Sequence, residues 1–109
     1  MLEAIFESSV KEKILLFILA NGESYPREIA REYSYYINTV QYQLLKLEAA
    51  GLLYSKLKGK VRLFGFNPRY PFKKELESLL EKALQFYPEA EKTKHYMKRL
   101  RPRRTGKPL

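Results

Sequence analysis

Side chains that commonly carry catalysis or bind metals are scarce in this chain. Its 109 residues include no cysteine, no aspartate and a single histidine, His95. Cysteine, histidine and aspartate supply many of the metal ligands, nucleophiles and general bases of proteins. We therefore expect no enzyme, no bound metal and no cofactor. The absence of cysteine also suits a reducing compartment, where disulfides are rare.

Long apolar segments are missing as well. The longest apolar run, residues 14–20, is far shorter than the roughly 20 residues that span a bilayer. The first residues also lack the basic and then apolar pattern of a signal peptide, so we expect a cytoplasmic protein. A hydrophobic content of 45% suffices for one compact core. Few Asn and Gln beside many Lys, Arg and Glu favour a thermophilic source.

Positive charge is concentrated in one part of the sequence. The net charge is +9, and no acidic residue occurs between Glu48 and Glu75. That interval holds seven basic residues: Lys56, Lys58, Lys60, Arg62, Arg69, Lys73 and Lys74. A run of positive charge without acids predicts a surface that faces an anionic partner.

The first predicted helix spans Val10–Ala20, because Ser9 and Glu12 have the spacing of a capping box. Its second half is apolar on every face, and such a helix is stable only when it is covered all round. We therefore expect a second subunit to contact this helix, through Ile14, Leu15, Phe17 and Ile18. The alternative is a helix at the centre of the monomer's own core.

Two further helices and a hairpin follow. Pro26 suits the first position of a helix over 26–33. Val40, Leu44 and Leu47 then recur at helical spacing and predict a third helix, 37–50, ended by Gly51. Residues 53–58 and 61–66 have strand patterns, and Gly59 between them permits a tight turn.

The C-terminal third is predicted to be helical. A helix beginning near Phe72 carries an apolar stripe that suits packing on the domain or pairing with another copy, and we assign it to a dimer interface: Leu76, Leu79, Leu80, Ala83, Leu84 and Tyr87. Pro88 kinks this helix or starts another one over 89–100. The expected organisation is a domain of three helices and a hairpin (1–71), a helical dimerisation region (72–100) and a flexible basic tail (101–109).

Residues 9–70 resemble the winged helix-turn-helix regulators of the ArsR-like group. The matching positions are Ile29, Ala30, Glu32, Val40, Leu44, Leu47, Glu48, Ala50, Gly51 and Leu52. The resemblance implies a mainly α (α+β) fold with a two-stranded wing, and a homodimeric transcription regulator that binds double-stranded DNA at an inverted repeat. Ser34 stands where the group often has glycine, and Tyr36 replaces the usual small cap. The recognition helix therefore starts either near residue 37 or at Asn38.

Candidate DNA-binding residues come from the third helix and the wing. We expect five on the recognition helix: Asn38, Thr39, Tyr42, Gln43 and Lys46. Asn and Gln side chains can bond adenine, and Thr can contact a thymine methyl group. Four more lie in the wing: Lys56, Lys58, Lys60 and Arg62. Leu45 is an apolar residue predicted to face outward. The alternatives are ordinary solvated residues, or a winged helix that binds RNA or another protein.

Overall fold

A computed structural model of the chain describes residues 1–97, without the side chains of Thr93, Tyr96 and Met97. The elements in chain order are α1 (Glu3–Phe6), α2 (Ser9–Asn21), α3 (Pro26–Tyr33), α4 (Ile37–Ala49), β1 (Leu53–Lys58), β2 (Val61–Phe66), α5 (Lys73–Gln85), α6 (Glu89–Glu91) and a π-helix (Lys92–Met97). This is the predicted helix-turn-helix with a β-hairpin wing, extended by C-terminal helices. No helix within residues 1–97 is long and apolar enough to cross a membrane.

Helix α2 lies at the centre of the core. Ile14, Leu15, Phe17 and Ile18 are at most 2% exposed within one subunit. Helices α4 and α5 and strand β2 pack around α2 and cover it. The expectation that these four residues form a dimer interface is therefore corrected, because side chains buried in one subunit have no surface to offer a second.

A buried carboxylate of α2 contacts both the first residues of the chain and the segment that follows α5. Glu12 is completely buried, and its Oε2 accepts a hydrogen bond of 2.5 Å from the hydroxyl of Tyr87, which follows α5. Its Oε1 accepts from the backbone N–H of Leu2 at 2.9 Å and pairs with the Met1 amine at 3.1 Å. Glu12 was expected to close a capping box with Ser9. The N-cap is instead Ser8, whose hydroxyl accepts from the Lys11 N–H.

The turn between α3 and α4 depends on a left-handed residue. Ser34 has φ 59° and ψ 39°, a conformation that costs energy for any residue with a Cβ atom. It stands at the position where the sequence pattern often has glycine. Helix α4 then begins at Ile37 with Tyr36 as its N-cap, so Asn38 lies inside the first turn and its side chain is exposed.

The wing is a two-stranded antiparallel hairpin with the predicted strand bounds. Leu53 pairs with Phe66 at its base, and Lys58 pairs with Val61 beside the turn. Gly59 in that turn has φ 64°, as expected from its position. A backbone bridge from Ser24 to Phe64 adds a third short strand position at the edge of β2.

Helix α5 uses only part of its apolar stripe for the core. Leu80, Ala83 and Tyr87 are buried against the rest of the subunit, while Leu76 and Leu84 are half-buried. The assignment of Leu80, Ala83 and Tyr87 to a dimer interface is therefore corrected for the same reason as in α2.

The C-terminal segment folds back onto α3. The Nδ1 of His95 lies 2.7 Å from the Oε2 of Glu32, and the His95 ring packs on that of Tyr33 at 4.7 Å between centroids. The helix predicted over 89–100 is observed as α6 and the π-helix. Residues 98–100 of that prediction and the basic tail 101–109 lie outside the described residues.

Candidate nucleic-acid interface

Helix α4 presents a polar face that no other described element covers. Val40, Leu44 and Leu47 hold the helix to the core, so the opposite side is turned to solvent. Four of the five predicted recognition residues are exposed there: Asn38, Thr39, Tyr42 and Lys46. Tyr42 is 61% exposed, and the Lys46 ammonium lies 5.2 Å from the centre of its ring.

The two glutamines of α4 differ from the expectation. Gln43 lies on the flank of the helix, and its Oε1 is buried without a hydrogen-bond partner among the described residues. Gln41 is exposed instead and borders the wing. The sequence pattern did not single out Gln41, because the exposed side of the helix was assigned to Thr39, Gln43 and Lys46. The structure places Gln41 on the outer surface and Gln43 on the flank.

The four basic residues predicted in the wing do not form one cluster. Successive side chains of a strand point to opposite faces, and the register places Lys56 opposite Leu63 but Arg62 opposite Leu57. Lys56 and Lys58 therefore share the outer face, whereas Arg62 lies on the face toward α4. Lys60 occupies the turn. The tip of the wing thus offers positive charge on both of its sides.

The outer face carries a counter-charge that the sequence pattern concealed. Glu23, in the connection between α2 and α3, pairs with the Lys56 ammonium at 3.1 Å and accepts a hydrogen bond from the Tyr54 hydroxyl. That hydrogen bond, more than burial, raises the pKa of Tyr54 to about 12. It is also the main cause that lowers the pKa of Glu23, followed by the hydrogen bond from Lys56. Lys58 and Lys60 form no ion pair among the described residues.

Tyr54 reaches Glu23 by lying across the neighbouring strand. It is paired with Gly65 on β2, and a Cβ atom at Gly65 would stand 2.7 Å from the Tyr54 hydroxyl oxygen. Two further ring atoms would lie within 3.0 Å. The absence of a side chain at residue 65 therefore makes room for the tyrosine, which holds the wing to the α2–α3 connection.

The inner face of the wing is tied to the recognition helix. The Arg62 Nη1 donates to the Ser55 hydroxyl oxygen at 2.9 Å, and that hydroxyl donates to the Glu48 carboxylate at 2.6 Å. Glu48 lies on α4. A continuous chain of hydrogen bonds thus connects the two elements that flank the exposed surface.

An open notch separates α4 from the wing. It has a volume of about 340 Å³ and is lined by Pro26, Gln41, Leu45, Arg62 and Phe64. Leu45 is 55% exposed, in agreement with the prediction that it faces outward. The notch, the outer face of α4 and the wing tip together form the candidate interface. Residues 1–97 contain no group of three or more His, Cys, Asp or Glu side chains suited to a metal ion.

No protein-family model and no curated protein sequence matches the chain. Solved structures do. The homodimeric winged helix-turn-helix DNA-binding domain Mb0332 from Mycobacterium bovis, a possible ArsR-family transcriptional regulator, matches with a TM-score of 0.60 and 19% identity, over 82% of this chain and 80% of that one. The apo form of a ZitR mutant from Lactococcus lactis matches with a TM-score of 0.57 and 25% identity, over 82% of this chain and 75% of that one. The transcriptional regulator Tm0710 from Thermotoga maritima matches with a TM-score of 0.56 and 20% identity, over 91% of this chain and 77% of that one. The chain therefore has the winged-helix fold that is found in transcription regulators.

Proposed function

We propose that the protein is a cytoplasmic, homodimeric transcription regulator that binds double-stranded DNA with sequence selectivity. In this proposal α4 enters the major groove, and the wing contacts the phosphate backbone or the minor groove of the adjoining turn. The observation that carries it is the exposed polar face of α4 beside a wing with basic residues at its tip. The major groove of B-DNA is about 12 Å wide and admits one helix.

The chemistry of the surface divides into two parts. Amide, hydroxyl and phenol groups on α4 suit hydrogen bonding to base edges, which carry the sequence information. Lys58, Lys60 and Arg62 suit phosphates, whose contacts set affinity and position. Lys56 contributes less charge to this surface, because Glu23 neutralises it on the outer face.

A second copy fits the exposed side of α5. Phe72, Leu79 and Phe86 are 62%, 37% and 67% exposed, and they recur every seven residues, so they form one stripe. Glu75 and Lys82 flank that stripe. With the two helices antiparallel and a two-fold axis at Leu79, Phe72 lies opposite the partner's Phe86, and Glu75 lies beside the partner's Lys82, one residue from the position directly opposite. A two-fold interface requires this kind of self-complementary pattern.

The proposed dimer has a consequence for the DNA site. Two-fold symmetry places two copies of α4 on one side of the duplex, about 34 Å apart when the half-sites are one helical turn from each other. The site is then an inverted repeat. Mb0332 is described as a homodimeric DNA-binding domain, and this supports the same assembly here.

Selection of bound duplexes from a random pool tests the proposal. We expect enrichment of an inverted repeat, with binding that weakens steeply as salt rises, by a slope of about −0.9 per phosphate contact. Reversal of charge in Lys58→Glu/Lys60→Glu should weaken binding to all sequences. Lys94→Glu, at an exposed lysine of the C-terminal segment, is the control variant. A pool without enrichment, or preferred binding of RNA at equal salt, would overturn the proposal.

A further inference from the structure

The exposed face of α4 is polar but carries little positive charge. Lys46 is the single basic residue within α4; it does not line the notch, and its ammonium lies beside the Tyr42 ring. An arginine or lysine that bonds guanine is the most common specific contact in the major groove. The first two turns of α4 hold no such residue. They offer side-chain amides, a hydroxyl and a phenol instead.

Three of these residues form a single stripe along the notch. Asn38, Gln41 and Leu45 are spaced by three and four residues, so they lie above one another on one side of the helix. Gln41 and Leu45 line the notch together with Arg62 and Phe64 of β2. The stripe thus runs from the start of α4 to the base of the wing, with two amides followed by an apolar side chain.

We propose that this stripe selects A·T base pairs in each half-site, with Leu45 packed against the 5-methyl group of a thymine. The inference rests on the proposed function and specifies the bases that the same surface reads. Side-chain amides bond the N6 and N7 atoms of adenine, and apolar side chains contact the thymine methyl group. Each A·T pair presents both features in the major groove, so neighbouring amide and apolar residues match runs of such pairs.

The exposure of Leu45 fits this role. The side chain is 55% exposed beside an open notch, and contact with a methyl group removes apolar surface of both partners from water. Burial of one methyl-sized group corresponds to about 0.8 kcal/mol, which is about a fourfold change in affinity. Gln41 lies one helical turn away and is placed to contact a neighbouring base pair, where an amide bond to adenine is expected to change preference by about five- to 150-fold.

A thymine-to-uracil exchange tests the proposal on a duplex taken from the selected pool. Deoxyuridine lacks the 5-methyl group but keeps every hydrogen-bonding atom. We expect the unaltered protein to bind about fourfold more weakly to a duplex in which the contacted thymine of one half-site is replaced by uracil. Leu45→Ala should bind both duplexes equally. Ile5→Ala, which truncates an exposed apolar residue of α1, should keep the fourfold difference.

The possible outcomes distinguish a failure of the A·T preference from a failure of DNA binding itself. Loss of the thymine preference in Leu45→Ala with intact binding supports the assignment. Selected half-sites dominated by G·C pairs, or equal affinity of the unaltered protein for both duplexes, would overturn the inference while leaving DNA binding established. Failure of the unaltered protein to bind any duplex would overturn both the inference and the proposed function. Thermal denaturation confirms that each variant is folded.

Discussion

Ser34 holds the turn of the helix-turn-helix in a conformation that suits glycine better. Among the described residues, it and Glu7 are the two non-glycine residues with a positive φ. A left-handed residue with a Cβ atom is strained by about 1 kcal/mol or more. The angle at which α4 leaves α3 depends on this residue, so the strain lies at the entry to the recognition helix.

Ser34→Gly is therefore expected to stabilise the protein by about 0.5 to 1 kcal/mol, since relief of strain exceeds the added freedom of the unfolded chain. The midpoint of thermal unfolding should rise by several degrees. Ser34→Ala is the matched control, because it keeps the Cβ atom and should bring no gain. A glycine variant that is no more stable than the alanine variant would show that the turn is not strained.

The hydrogen bond between Tyr54 and Glu23 should make stability depend on pH at both extremes. The pKa of Tyr54 in the folded protein is raised from 10.0 to about 12. The stability that its hydrogen bond contributes is therefore complete below pH 10 and is lost as the pH rises through 12. The pKa of Glu23 is lowered from 4.5. Its contribution is complete above that value and is lost as the pH falls through the lowered pKa.

Tyr54→Phe removes this linkage. We expect the difference in the free energy of unfolding between the natural protein and Tyr54→Phe to be constant near neutral pH and to shrink between pH 10 and 12. Chemical denaturation at a series of pH values measures it. Tyr36→Phe, at a residue that is 86% exposed, should show no such change. Parallel stability curves for the natural protein and Tyr54→Phe would contradict the assignment.

Among the elements, the wing depends on the close approach of Tyr54 to Gly65. Gly65→Ala places a methyl group against the tyrosine ring and should destabilise the protein by about 1 to 3 kcal/mol, as overpacking does. In a Tyr54→Ala background the ring is absent, and the same substitution should cost little. A double-mutant cycle measures the coupling, which we expect to reach about 1 kcal/mol. Additive effects of the two changes would refute this arrangement.

Elements with local signals were predicted most accurately. Helix α3 and both strands have the expected bounds, because Pro26 begins the helix and Gly59 permits the turn. Interactions between distant residues left no such signal. Glu12 has the spacing of a capping residue, yet it binds Tyr87, which is 75 positions away.

In the candidate site, too, the features with local sequence signals were predicted and the contacts between distant residues were not. The exposed face of α4 follows from the buried spacing of Val40, Leu44 and Leu47, so Asn38, Thr39 and Tyr42 were placed correctly on the surface. The opposite orientation of Lys56 and Arg62 requires the register of the hairpin. The ion pair of Lys56 with Glu23 requires the packing of the wing, because nothing in the basic segment indicates an acid from an earlier connection.

At the scale of the whole molecule, the pattern around Leu79 predicts how two copies associate. Leu79→Lys places two charges at the proposed two-fold axis and should convert the dimer to a monomer at micromolar concentration, as measured by light scattering. The single changes Glu75→Lys and Lys82→Glu should each weaken the dimer through repulsion across the interface. The double exchange restores opposite charges and should recover it.

The matched control for this experiment is Ile5→Lys, at an exposed apolar residue outside the stripe. We expect it to leave the oligomeric state unchanged. Dimerisation that survives Leu79→Lys would exclude α5 as the contact. Failure of the double exchange to restore a dimer weakened by both single changes would exclude the antiparallel register alone.

The hydrogen-bonded chain from Arg62 through Ser55 to Glu48 means that the wing and the recognition helix are pre-organised as one unit. Fixing a long side chain on binding commonly costs about 0.5 to 1.5 kcal/mol. Here the Arg62 Nη1 already donates a hydrogen bond to Ser55 in the folded protein. A guanidinium has five N–H donors, so donors remain for a phosphate after Ser55 is bonded. In the proposed complex with DNA, Glu48 thus acts indirectly, by lowering the entropic cost of placing the Arg62 cation.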